Sequence, residues 1–431
     1  MDTFFYKGKE NIFEKAQSQT HIIEDNDSSK KKMQEEFLKV LDNKNLSFLL
    51  GSGCSSFEID KKKENSEETE TVQVGIPVMC PLAEEFYKLD TFATYRRWLK
   101  LFFNIDVDSD NFKTNLESFL STLHSLSFYY SKSIETELSK KTAERINKII
   151  ILVRNFLLNR ILNEENTKNK ADEPLLNIYK QFYRKLLTRN SNLSRLNIFT
   201  TNYDLYSEKA MDSLGIHYAN GFIGGITKFF NPTIFNYAIA EKMDLSQSKW
   251  NVIENFFYLY KIHGSVNWIE ANVENKLFKV QEIQDPTFDI LKDKESIMIH
   301  PTPLKYNASL GSPYSDLFRE FQRKLMANNN ILVTIGYSFN DEHINNLIFQ
   351  AFTIPSFRLI IVGEPTETNK IGELLKLDDS RIWIIGGKKD ADTQPLHFFK
   401  RFVEEIMPDL TAEDLDKKME TTINNLKELL K

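Results

Sequence analysis

The chain has 431 residues, 41% of them hydrophobic, which suffices for one large domain with insertions or for two domains. A formal net charge of -6 argues against a whole-surface grip on nucleic acid, although local lysine-rich patches leave direct binding open. No apolar run approaches the roughly 20 residues of a membrane span, the N-terminus lacks a signal-peptide core, and two cysteines with no metal-ligand histidine spacing exclude a four-cysteine zinc module; a soluble cytoplasmic protein without zinc is expected.

Residues 1–29 pass from an aromatic-rich start into the polar IIEDNDSSKKK and read as a mobile arm or docking segment. From Lys30 to about Asn43, Met33, Phe37, Leu38 and Leu41 recur at helical spacing. Leu46 to Ser55, LSFLLGSGCS, then reads as a buried parallel strand that breaks into a Gly-Ser-Gly turn. Gly51 and Gly53 would let the backbone approach a ligand, with free N–H groups beyond them facing a pyrophosphate; an ordinary tight turn has the same signature. The charged stretch from Phe57 to Thr71 reads as a solvated excursion with no core of its own. Gly75-Ile76-Pro77 precedes a helix expected to start near Pro81, and residues 82–190 keep helical periodicity, broken by the polar run 163–173.

Strand-like runs follow at Leu196–Thr200, Phe257–Ile262, Ser296–His300, Ile331–Ile335, Leu359–Val362 and Ile382–Ile385, alternating with helical stretches. The fold class is therefore α/β, a Rossmann-like, mostly parallel sheet with a large helical insertion. The organisation expected is an N-terminal arm and helix (1–45), a Rossmann domain (46–81 and 191–400), an inserted helical subdomain (82–190) and a C-terminal helical tail (401–431), whose helix spans roughly Ala412 to Leu430.

In such sheets ligands bind at the carboxyl ends of strands. After LNIFT, Asn202 could hold a water or ribose hydroxyl, or merely close the turn, and Asp204 could cap the next helix. His263 ends an apolar strand with Gly264 behind it; it is placed for a general base, or for a structural role. His300 looks like loop structure. Gly336 and Ser338 repeat the strand, glycine, polar, helix logic and would suit the second half of a dinucleotide, while Glu364 could reach a hydroxyl.

In this order GSGCS, GIP, TTNYD, IHGS and GYS resemble the sirtuin pattern GAGxS, GIPxFR, TQNxD, HG and GTS, across residues 46–340. The resemblance implies that Gly51, Ser52, Gly53 and Ser55 cradle the pyrophosphate of NAD and that Gly336 with Ser338 approaches its adenosine half. Asn202, Asp204 and His263 would surround the nicotinamide ribose, with Asn202 and His263 catalytic. Met79-Cys80 stands where the family has Phe-Arg, and the cysteine module of the deacetylases is missing. With the helical insertion and the IHPTP segment, the chain looks like bacterial sirtuin-like antiphage effectors, which implies an NAD glycohydrolase that consumes NAD as substrate. That resemblance also implies a homo-oligomer controlled by a separately encoded partner, foremost a HerA-type ring ATPase. Rival readings are an ADP-ribosyl cyclase or transferase, a nucleic-acid-processing subunit, and a non-catalytic NAD sensor.

Overall fold

Short runs of Val, Ile, Leu and Phe make up one nine-stranded sheet among the described residues of the computed structural model, which are 3–14, 26–62, 69–133, 136–190, 192–242, 250–271, 279–294, 296–298, 311–387 and 394–408. Its strands are β1 (Thr3–Lys7), β2 (Asn45–Leu50), β3 (Asn197–Thr200), β4 (His217–Ala219), β5 (Phe256–Lys261), β6 (Asn330–Ile335), β7 (Arg358–Val362) and β8 (Ile382–Gly387), with the two-residue strand Glu10–Asn11 at one edge. The order is Glu10–Asn11, β1, β8, β7, β6, β2, β3, β5, β4. β2 to β8 are all parallel, and β1 is antiparallel to β8. Leaving β4 aside, the order β5-β3-β2-β6-β7-β8 is the 3-2-1-4-5-6 arrangement of doubly wound dinucleotide-binding sheets. The order of winding reverses between β2 and β6, so a crevice opens at their carboxyl ends.

Both faces of the sheet are covered, which is why its strands are continuously apolar. One face packs on α1 (Asn26–Leu41), whose Met33, Phe37, Val40 and Leu41 form the predicted stripe. The insertion contributes α2 (Met79–Tyr87), α3 (Asp90–Phe103), α4 (Leu116–Lys132) and the long α5 (Glu137–Leu162), which enclose a core of their own around Phe86, Phe92, Phe119 and Ile146. A capping box between Thr136 and Ser139 starts α5, and Asn163 in the left-handed region ends it. The next helix, α6 (Glu173–Leu187), falls within the span assigned from sequence to the insertion. Its Leu175, Ile178, Phe182 and Leu186 instead face the main sheet beside Phe399, Phe402 and Ile406, so the tail's first residues also belong to that core. The opposite face carries α8 (Tyr314–Leu325) and α9 (Glu342–Ala351), after α7 (Tyr206–Ser213) has followed β3 on the first.

Three expectations change. The aromatic start is not a loose arm: β1 pairs with β8, and Phe5 and Phe13 are buried. The charged stretch after Phe57 includes a β-ladder, Ser56–Lys62 against Thr69–Gly75, whose sequence puts Phe57, Ile59, Val72 and Val74 at alternate positions. Ser296–Met298 joins Gly264–Glu270, Val280–Glu282, Lys228–Phe230 and Phe222–Ile223 in a separate antiparallel sheet rather than the parallel one. His300 and the helix expected from Ala412 to Leu430 lie outside the described residues.

Candidate functional site

At the reversal point Leu50 of β2 lies opposite Ile335 of β6, and each strand then breaks at a glycine. The Gly51 N–H donates to the Ile335 carbonyl at 2.9 Å, and the Gly53 N–H to that of Gly336 at 3.0 Å. A Cβ on Gly51 would lie 2.4 Å from the Gly336 oxygen, and one on Gly336, whose φ is +62°, would lie 2.8 Å from the Cys54 nitrogen. The three glycines are thus required by the two loops leaning on each other. The amides of Cys54 and Ser55 donate to the Gly51 and Ser52 carbonyls of the turn itself, so four of the N–H groups expected to face a pyrophosphate are already engaged by backbone carbonyls. Gly51 and Ser55 are buried and Gly53 half-buried where the two loops meet, while Ser52 and Ser338 are exposed. Hydroxyls so placed suit the oxygen-rich phosphates and sugars of a dinucleotide.

Ser55 belongs to a short hydrogen-bonded chain. The Asn202 Nδ2 donates both to the Gly51 carbonyl and to Ser55 Oγ, each at 2.9 Å, and Ser55 Oγ donates to Asp204 Oδ2 at 2.6 Å. The other Asp204 oxygen accepts the Tyr206 N–H at 3.1 Å, an Asx turn at the entry to α7. Asn202 and Asp204 are each 8% exposed. With both amide hydrogens of Asn202 engaged, its carboxamide oxygen is the group it can present to a ligand. Both Asp204 oxygens accept from the protein, one from Ser55 and one from the Tyr206 amide. The Asp204 charge, after burial itself, holds the neighbouring Cys54 thiol well above the usual range.

β3 and β5 pair with Thr200 opposite Lys261, so Asn202 and His263 emerge two residues further on from adjacent strand ends. The His263 ring lies 6.4 Å from that of Tyr203, and its Nε2 is 3.0 Å from Asp341 Oδ2. The second Asp341 oxygen caps α9, accepting from the amides of His343 and Ile344 at 3.0 and 3.3 Å. Asp341 was visible in the sequence only as the opening of a helix; its pairing with His263 joins the two halves of the sheet. The loop that brings it there holds Phe339 at φ +59°, an unusual conformation for a buried aromatic. Asn345 fixes it by donating to the Phe339 carbonyl at 2.7 Å. The insertion reaches the same place, because burial, then Glu117 of α4, then Tyr314 and Asp341, push the Tyr203 phenol well above its ordinary value.

Among the described residues no group of three His, Cys, Asp or Glu side chains is placed to hold a metal, no helix is long and apolar enough to cross a membrane, and Cys54 and Cys80 are free thiols. A family model described as a SIR2-like domain matches residues 196–354. The matched stretch runs from β3 past α9 and takes in Asn202, Asp204, His263, Gly336, Ser338 and Asp341, whereas the Gly51–Ser55 turn lies outside it. No curated protein matches the chain. The match supports a sirtuin-like family and NAD-dependent chemistry in general.

Proposed function

We propose that the chain is an NAD glycohydrolase, cleaving the nicotinamide–ribose bond with water to give ADP-ribose and nicotinamide. The observation that carries this reading is that the Asn202–Ser55–Asp204 chain and the His263–Asp341 pair stand at the carboxyl ends of neighbouring strands of a doubly wound sheet. Nε2 of His263 stands 3.0 Å from the Asp341 carboxylate, a charge placed to stabilise the imidazolium that forms when His263 takes a proton. Asp341 cannot swing away, because its other oxygen is held by two helix amides. The Asn202 oxygen offers an acceptor for a water or a ribose hydroxyl in the same crevice.

In the reaction the glycosidic electron pair leaves with the nicotinamide ring nitrogen. The water oxygen bonds to the ribose carbon, and its proton passes to His263. An acceptor hydroxyl from a sugar or a second molecule would give cyclase or transferase products instead. Incubating the purified chain with NAD and separating the products tests the assignment: nicotinamide and ADP-ribose in equal amounts, absent with His263→Ala, are expected. Intact NAD, or cyclic or transferred ADP-ribose, would refute hydrolysis.

The wider role we assign is NAD depletion in antiphage defence, as a homo-oligomer gated by a HerA-type ring ATPase. The ordered motifs support it, as does the exposure of Leu101, Phe102, Phe128, Tyr129 and Leu138 on the insertion, an apolar surface suited to assembly. Adding that ATPase to the chain should raise the rate of nicotinamide release; an unchanged rate and separate elution of the two proteins would reject the partner.

A further inference from the structure

We propose that Lys261 is a positioning residue for this reaction, fixing from beneath the turn that presents Asn202; the inference rests on the hydrolase reading for its kinetic consequence. Lys261 ends β5 inside the apolar run FFYLYKIHGS and is 1% exposed. An ammonium buried there is stable only if its donors are matched, and three acceptors surround it. Its Nζ lies 3.0 Å from Glu208 Oε1 and 3.4 Å from the Tyr203 carbonyl, and it also donates to the Asp204 carbonyl.

Two of these acceptors are backbone carbonyls of the turn between β3 and α7, and the third belongs to α7 itself. The turn turns these carbonyls inward, and its own side chains, Asn202 and Asp204, make the chain with Ser55. One ammonium therefore ties the peptide that follows Asn202 to the strand that carries His263 two residues later. The Tyr203 carbonyl also accepts from the Val266 amide at 3.0 Å and the Ser265 hydroxyl at 3.4 Å, whereas the Asp204 carbonyl accepts from Lys261. Burial raises the Glu208 carboxyl above its usual range against the pull of Lys261, so this pair is held at a cost that an apolar pair would avoid. Such a cost is understandable if the lysine does more than fill space. The two groups it relates must stay aligned to within about an ångström for turnover, and such a misplacement costs about 100-fold.

Lys261→Met alone leaves Glu208 unpaired in the interior and is expected to lower stability. The deciding variant is Lys261→Met with Glu208→Met, which removes both charges at similar volume. It is expected to melt within a few degrees of the wild type and to lose about 100-fold in kcat for NAD, with KM changed less than threefold. Amides of residues 202–206 are expected to exchange at least tenfold faster, with exchange unchanged in β2 and β6. Wild-type kcat in the double variant, or unaltered exchange at 202–206, would overturn the inference. If the wild-type chain itself released no nicotinamide, the hydrolase reading would fall, and the exchange measurement alone would decide whether Lys261 fixes the turn.

Discussion

His263 and Asp341 come from opposite halves of the sheet, and their 3.0 Å contact gives each a different sensitivity to substitution. Asn at position 341 still caps α9 but offers the histidine a neutral partner whose donor or acceptor face is no longer fixed by charge. Asp341→Asn is therefore expected to keep the melting temperature within a few degrees and to lower kcat by roughly 100-fold or more, by analogy with other Asp-oriented histidines. Asn202→Ala should abolish turnover and, because Ser55 and the Gly51 carbonyl lose a shared donor, also destabilise by about 1–3 kcal/mol. Gly336→Ala meets two obstacles at once, φ of +62° and the Cys54 nitrogen at 2.8 Å. A loss of more than about 1 kcal/mol in chemical denaturation is expected, and a neutral result would mean that the two loops can part easily.

At the level of elements, the N-terminal strand and α1 are tied to the body by apolar contact and by charge. Phe5 sits edge-on to Trp383 at 5.5 Å and to Phe13 at 6.5 Å, so Phe5→Ala is expected to cost about 3–5 kcal/mol in denaturant titrations. Lys7 pairs with Glu36 and Lys30 with Glu405, each at 2.7 Å. Burial raises both carboxyls, but hydrogen bonds outweigh it and hold them below the ordinary value of 4.5: Lys39 and Lys7 for Glu36, Arg401 and Lys30 for Glu405. A carboxylate depressed in the folded state contributes stability that is present above its unfolded value and lost as pH falls through the folded one. Unfolding free energy should thus hold from pH 7 to about 5 and decline below about 4.5; the variant Glu36→Gln with Glu405→Gln should be weaker at pH 7 and show a shallower decline. Parallel curves for the two proteins would show that these pairs contribute nothing.

For the whole molecule, the crevice lies between β2 and β6, so a dinucleotide bound across it would bridge loops from both halves of the sheet. NAD at 100 times its dissociation constant should stabilise the catalytically dead His263→Ala chain by about 2.7 kcal/mol. Hydrogen exchange should slow together in residues 51–55, 202–206 and 336–341. Protection confined to one loop would place the ligand elsewhere. The insertion borders this arrangement, since burial first and then the charge of Glu117 of α4 raise the Tyr203 phenol.

What was legible in the sequence was whatever depends on neighbours along the chain. The apolar runs at Ile331–Ile335 and Leu359–Val362 mark buried strands, and the breaks at Gly51 and Gly336 mark strand ends, because local burial and backbone sterics write themselves into consecutive residues. The alternation of Phe57, Ile59, Val72 and Val74 was present too, interleaved with the charged residues of its ladder. Lys261 in an apolar strand was a further signal, since a charge at such a position requires partners. Which partners it has, that Asp341 rather than any nearer residue faces His263, that the Gly51 and Gly53 amides lean on the loop after β6, and that α6 joins the main core were decided by tertiary structure alone. Those contacts join residues far apart in the chain, and the strand order that brings them together is fixed only when both faces of the sheet are covered.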